Sequence, residues 1–130
     1  MVKPVGAIVV ALLLTGLGAR TAEARYGAIA RAANPESRAK GYAWNYETRD
    51  GAEKRALQEC EQTAGLGNCR VLVWAQNACL AIAESAVGAA GTGWASTLER
   101  AEFHARTQCQ GLGTGECQVA RSFCVPFFGP

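Results

Sequence analysis

The sequence has little of the material from which catalytic and metal sites are built. It contains one histidine, His104, so any Ser–His or Cys–His pair has to use that residue. There is no Cys-x-x-Cys pair, which excludes a thioredoxin-like motif, and no His-x-x-x-His pair, so a zinc site is disfavoured as well. No Gly-Lys-Ser or Gly-Lys-Thr follows the glycine-rich segments, which excludes a phosphate-binding loop. We therefore predict no catalytic, cofactor-binding or metal-binding residues.

A strong charge of either sign is also lacking. The chain has 13 basic and 11 acidic side chains, scattered without a like-charged block. This balance argues against binding to nucleic acid or to an anionic membrane through a basic face. The charge does not identify the partner, which is expected to be a protein or an envelope polymer.

No apolar run is long enough to cross a bilayer as a stable helix. Lys3 is followed by an uncharged apolar stretch of about 13 residues, short of the ~20 that a transmembrane helix needs. An Ala-Glu-Ala sequence ending at Ala24 then supplies the small residues that signal peptidase recognises. We predict a signal peptide over residues 1–24, cleaved between Ala24 and Arg25. It would send the protein to the periplasm or outside the cell through general secretion, with no integral membrane segment left after cleavage.

Cysteine is absent from the first 59 residues and then frequent. Without a Cys at the cleavage point, lipoprotein processing is excluded. An even number of cysteines in a small exported chain indicates a disulfide framework. The six residues are Cys60, Cys69, Cys79, Cys109, Cys117 and Cys124.

The remaining residues, 25–130, are predicted to form a single domain made of two repeats, about 26–78 and 79–125. Each repeat carries an Ala-x-x-x-Ala-x-x-x-Cys pattern, followed by a Gly-Leu-Gly loop and a second Cys. The pattern ends at Cys60 in the first repeat and at Cys109 in the second. Residues four apart share one helical face, so each pattern predicts a helix with a narrow seam of small residues.

The coarse pattern within each repeat is strand, strand, helix, strand. Helices are expected over about residues 49–63 and 98–108, with Thr48 capping the first and either Ser96 or Thr97 capping the second. The alternating residues 70–76 are typical of a strand with both faces at least partly buried. The predicted fold class is α+β, with mainly antiparallel strands and two helices held by disulfides.

Six cysteines allow 15 pairings, and spacing alone does not choose among them. Repeat symmetry favours Cys60–Cys69 and Cys109–Cys117, each joining the end of a helix to the next strand. Cys79 and Cys124 would then form the third pair.

The repeat also bears on the candidate site residues. His104 corresponds to Arg55, which predicts an exposed position on a helix surface. Trp44 and Trp94 recur at matching positions, which favours the core over a sugar- or peptide-binding surface. The apolar end of the chain, including Phe127-Phe128, either folds back on the domain or remains exposed.

Several of these motifs together resemble a known bacterial family, the domain of unknown function 4189. They are Tyr26-Gly-Ala-Ile-Ala, Gly41-Tyr-Ala-Trp-Asn-Tyr, the alanine seam ending at Cys60, Cys69-Arg-Val-Leu-Val-Trp and Asn77-Ala-Cys. The resemblance implies a small exported protein, and some similar proteins act as secreted effectors. It brings no catalytic residues.

These observations predict a disulfide-stabilised, non-enzymatic binding or interaction module without a cofactor. The alternatives are a secreted effector and an envelope hydrolase that uses His104.

Overall fold

Two strand–strand–helix–strand units follow one another in the computed structural model, which describes residues 24–127. The first unit comprises β1 (Tyr26–Ala32), β2 (Lys40–Tyr46), α1 (Arg49–Ala64) and β3 (Cys69–Gln76). The second comprises β4 (Cys79–Ser85), β5 (Ala90–Ala95), α2 (Leu98–Gln110) and β6 (Cys117–Cys124). The α+β class and the repeated unit are thus confirmed. The predicted signal peptide lies outside the described residues, apart from Ala24.

Both helices begin at a threonine cap. Thr48 accepts a hydrogen bond from the backbone N–H of Gly51 at 3.0 Å, and Thr97 accepts one from Arg100 at 3.3 Å. These bonds satisfy N–H groups that lack a partner in the first helical turn. Of the two candidates for the second cap, Thr97 is therefore the residue used.

Each unit forms its own three-stranded antiparallel sheet. The strand orders are β2-β1-β3 and β5-β4-β6, so the first strand of each unit lies at the centre of its sheet. Alanines on one face of each central strand pack against the helix of the same unit. The opposite faces bury larger side chains against each other, including Ile29, Leu80, Ile82 and Phe123. The resulting order of layers is helix, sheet, sheet, helix.

The small residues of the seam let each strand approach its helix closely. A Cβ atom added at Gly41 would lie 1.9 Å from the carbonyl oxygen of Ala56, and one added at Gly91 would lie 2.3 Å from the backbone nitrogen of Cys109. Both positions therefore require glycine. The same close approach of strand and helix explains why the seam of each helix is built from alanine and cysteine.

A buried ion pair joins the two sheets through equivalent positions of the two units. Arg31 and Glu84 each follow an Ala-Ile-Ala segment, and Arg31 Nε lies 2.7 Å from Glu84 Oε2. Lys40 Nζ contacts the same carboxylate at 3.0 Å. Burial alone would raise the pKa of Glu84, but hydrogen bonds from Arg31 and Lys40 outweigh this effect and hold it below the ordinary 4.5.

Three disulfides complete the fold, and they join the pairs that repeat symmetry favours. Cys60–Cys69 and Cys109–Cys117 each connect a helix to the following strand. Cys79–Cys124 connects directly paired residues of β4 and β6.

Candidate functional site

The three tryptophans differ in what covers their rings. The Trp44 ring contacts those of Phe123 and Phe127, with centroids 5.9 and 5.1 Å away. Trp74 is 37% exposed and carries the guanidinium of Arg49 at 4.2 Å from its ring. Trp94 is 60% exposed, and within residues 24–127 no ring or cation stacks on it. The exposed indole of Trp94 is therefore the starting point for locating a candidate site.

The expectation that Trp94 lies in the core is therefore wrong, whereas Trp44 does pack against the core. The two tryptophans hold matching positions, but their surroundings differ. The covering groups at Trp44 come from β6 and from the segment that follows it. The strand in the matching place beside Trp94 is β3, which supplies no such groups.

Trp94 stands in a groove between the two units, which we call the open groove. It is lined by residues 72–74 of β3, residues 92–94 of β5, and His104 and Gln108 of α2. Its volume is about 570 Å³. Trp74 and Trp94 also line an adjoining concavity of about 350 Å³ together with Ala75 and Gln76. The two tryptophans thus border both concavities, at the edges of β3 and β5.

The first unit has the same feature in a closed form, which we call the filled groove. It is lined by residues 42–44 and Tyr46 of β2 and by Arg55 and Glu59 of α1, with a volume of about 190 Å³. The guanidinium of Arg121, from β6, lies 4.4 Å from the Tyr42 ring and 5.4 Å from the Trp44 ring. Burial raises the pKa of Tyr42 to about 12, although the Arg121 charge acts in the opposite direction.

The two grooves correspond residue by residue. Tyr42 pairs with Ile29 across the sheet as Thr92 pairs with Ile82. Val73 pairs with Ile29 as Arg121 pairs with Ile82. On the helices, Arg55 corresponds to His104 and Glu59 to Gln108. The open groove therefore lacks both the ring and the guanidinium that close the filled groove.

One hydrogen bond is retained in both grooves. The backbone N–H of Tyr42 donates to Glu59 Oε1 at 2.8 Å, and that of Thr92 donates to Gln108 Oε1 at 2.7 Å. In each groove, a helix side chain thus accepts a hydrogen bond from a backbone N–H at the edge of the sheet. In the open groove, the Thr92 hydroxyl also donates to the carbonyl of Leu72 at 3.4 Å, which links the edges of β5 and β3.

His104 is exposed on α2, where sequence comparison with Arg55 places it, and it borders the open groove. Its ring makes an edge contact with Phe103, at 5.9 Å between centroids. The lining of the groove includes no carboxylate, serine or cysteine. The imidazole therefore has no carboxylate to orient it and no Ser or Cys nucleophile within the groove.

A separate concavity lies near the end of β4 and the loop that follows it. It has a volume of about 550 Å³ and is lined by Arg38 and Glu84 among others, without an aromatic ring. Several of its polar groups already serve the fold. Arg38 donates to the carbonyls of Ser85 and Ala86, and Glu84 holds the buried ion pair.

The chain folds back after β6 as far as it is described. The Asn45 side chain exchanges two hydrogen bonds with the backbone of Phe127, one of them 2.7 Å long. The Phe127 ring packs on Trp44 and helps to close the filled groove. Phe128 lies outside the described residues.

Two further findings concern the described part of the chain. Between residues 24 and 127, no helix is long and apolar enough to cross a membrane. Over the same range, no three His, Cys, Asp or Glu side chains are grouped so that they could hold a metal ion.

Three disulfides and two equivalent units, each a helix on a three-stranded sheet, define a small duplicated α+β protein. Residues 26–124 match the family model described as domain of unknown function DUF4189, and the chain belongs to this family. The resemblance found in the sequence motifs is thus confirmed. No curated protein and no solved structure matches the chain.

Proposed function

We propose that this protein is an exported, non-enzymatic binding module and that the open groove is its binding site. The observation that carries the proposal is the contrast between Trp94 and Trp44. The same residue recurs in both units, but only Trp44 is covered by other side chains, from β6 and from the segment that follows it.

An exposed tryptophan beside a concave surface is typical of a binding site. Burying an indole removes a large apolar area from water, so tryptophans left uncovered by the fold are enriched where a partner covers them. Ligand sites combine apolar and aromatic walls with a few polar groups. The open groove has this composition, with Trp74 and Trp94 as walls and Thr92, His104 and Gln108 as polar groups.

Export is supported by the sequence of residues 1–24 and by the disulfides. Disulfides form and persist in oxidising compartments such as the periplasm and the cell exterior. Three of them in a chain of 130 residues agree with this destination.

The binding role can be tested by capture of components from envelope extract on the immobilised oxidised protein. Wild type is compared with Trp94→Ala and with Leu66→Ala, since Leu66 is 90% exposed on a loop outside the groove. We expect one component to be retained by wild type and by Leu66→Ala, and about tenfold less of it by Trp94→Ala. Equal retention by all three proteins would refute the assignment of the site.

The alternative, an envelope hydrolase, draws on the position of His104 at the open groove. Replacing His104 by Ala separates the two functions. A binding module keeps its fold in His104→Ala, because His104 is an exposed side chain, and it turns over no polymer with or without the imidazole. Turnover of an envelope polymer by wild type, abolished in His104→Ala with binding intact, would establish the hydrolase instead.

A further inference from the structure

We infer that the ligand of the open groove is an uncharged carbohydrate chain. The inference rests on the proposed function, since it names the chemistry of what the groove binds. It follows from comparing the two grooves and from the hydrogen bonds that the open groove has already used.

The filled groove shows how this fold accommodates charge. Arg55 and Glu59 lie on one helical turn with their charged groups 3.4 Å apart, and Arg121 stacks above the rings. In the open groove the counterparts of these residues are His104, Gln108 and Val73. Duplication has thus produced a second groove whose lining contains no Asp, Glu, Lys or Arg.

A lining without carboxylate, ammonium or guanidinium groups favours a ligand without charge. An ionic group that enters such a groove loses hydration and meets no opposite charge in return. A sugar carries hydroxyl and amide groups, which need only neutral hydrogen-bonding partners. Within residues 24–127 neither the His104 ring nor the Gln108 Nε2 makes a hydrogen bond, so both can bond to such groups.

The two tryptophans suit the apolar faces of sugar rings. The face of an indole carries negative potential, and the C–H groups on one face of a pyranose carry partial positive charge. Trp94 offers its ring without a competing group, whereas Trp74 is shared with Arg49. Both tryptophans also border the adjoining 350 Å³ concavity, so their rings can contact neighbouring units of one chain.

A peptide fits these observations less well. Peptides that add to a sheet edge need free backbone groups, but the N–H of Thr92 is bonded to Gln108 and the carbonyl of Leu72 accepts from Thr92. An arginine stacked on Trp94 would lack the support that Arg49 has on Trp74. There Glu53 lies 3.1 Å from the guanidinium, and the open groove offers no carboxylate.

The inference can be tested on an array of neutral and acidic oligosaccharides, probed with the oxidised protein expressed with its own N-terminus. The same protein, labelled with ¹⁵N, is titrated with a bound glycan and, separately, with an arginine-rich peptide. The indole N–H signals of the three tryptophans serve as reporters. The variants are Trp94→Ala, Leu66→Ala as the exposed control, and Thr92→Tyr, which gives the open groove the ring that Tyr42 supplies to the filled one.

We expect binding to neutral glycans, with shifts of the Trp94 and Trp74 signals and none at Trp44. Trp94→Ala and Thr92→Tyr should each weaken binding at least about tenfold, and Leu66→Ala should not. Failure to bind any neutral glycan, or binding restricted to acidic ones, would overturn the inference. Binding of the peptide with a shift at Trp94 would overturn the ligand class but keep the groove. Glycan binding that is insensitive to Trp94→Ala would overturn the proposed site as well.

Discussion

The ion pair between the two sheets should dominate the response of this fold to a single charge deletion. Replacing Glu84 by Gln leaves the guanidinium of Arg31 and the ammonium of Lys40 without their common counter-charge. The side chains of Arg31 and Glu84 are only 5% and 10% exposed, so water replaces little of the lost interaction. The Arg31 guanidinium is already incompletely paired, because its Nη2 is buried and makes no hydrogen bond within the described residues.

The expected cost is about 3–5 kcal/mol, the range for removing one partner of a buried pair. This is a large fraction of the roughly 5–15 kcal/mol that holds a typical domain folded. The matched control is Glu53→Gln, which removes a carboxylate from a more exposed pair with Arg49 on α1. It should cost less than about 1 kcal/mol.

The equivalence of positions 31 and 84 permits a second, sharper variant. Exchanging the two charges, Arg31→Glu with Glu84→Arg, preserves an opposite pair at the same place. It should recover a substantial part of the stability lost in either single variant, and Lys40, the cross-strand neighbour of position 31, can then pair with the new carboxylate.

The assay is urea unfolding at pH 7 with the disulfides intact, followed by tryptophan fluorescence, with the midpoint and the slope compared. Two results would refute the reasoning. One is a cost for Glu84→Gln no larger than that of Glu53→Gln. The other is an exchange variant as unstable as the worse single variant.

Three further predictions concern packing, acid and disulfides. Gly91→Ala places a Cβ against the backbone of α2 and should lower stability by about 1–3 kcal/mol or more. Gly113→Ala has open space around it and should cost about 1 kcal/mol, because position 113 has a positive φ. Thermal unfolding compares the two variants. Because the folded-state pKa of Glu84 is lowered, the contribution of its ionised carboxylate to stability is complete above the ordinary value of 4.5 and is lost as the pH falls through the folded-state pKa. Unfolding free energies measured from pH 6 to pH 2 should therefore fall less steeply in Glu84→Gln than in wild type. Replacing Cys79 and Cys124 together by Ala should cost about 4 kcal/mol on the chain-entropy model, and non-reducing peptide mapping of wild type should recover this link and the two shorter ones.

The architecture of each unit was accessible from sequence because it depends on local signals and on repetition. The alanine seams with their terminal cysteines identify both helices, and Thr48 identifies the first cap, whereas the second cap stayed open between Ser96 and Thr97. Comparison of the two copies then proposes the disulfide pairs. The stacking of two sheets was not accessible, because the alternation that buries Ile29 and Ile82 does not state which surface covers them.

The candidate site was harder to predict because it depends on what is missing from one copy. Trp44 and Trp94 are identical in type and position, so the sequence pattern assigns them the same environment. The difference arises from residues distant in the chain, since Arg121 and Phe127 cover the first ring. Comparing Val73 with Arg121 in the two closing strands is the sequence signal that points to it.

The fluorescence of Trp94 tests most directly whether the open groove is the binding site. A variant with Trp44→Phe and Trp74→Phe leaves Trp94 as the sole tryptophan, and acrylamide quenching reports how accessible its ring is. Without ligand the ring should be readily quenched, in keeping with its exposure, and saturation with the captured envelope component should protect it and shift its emission to shorter wavelength. Binding of that component with Trp94 still fully quenched would contradict the account.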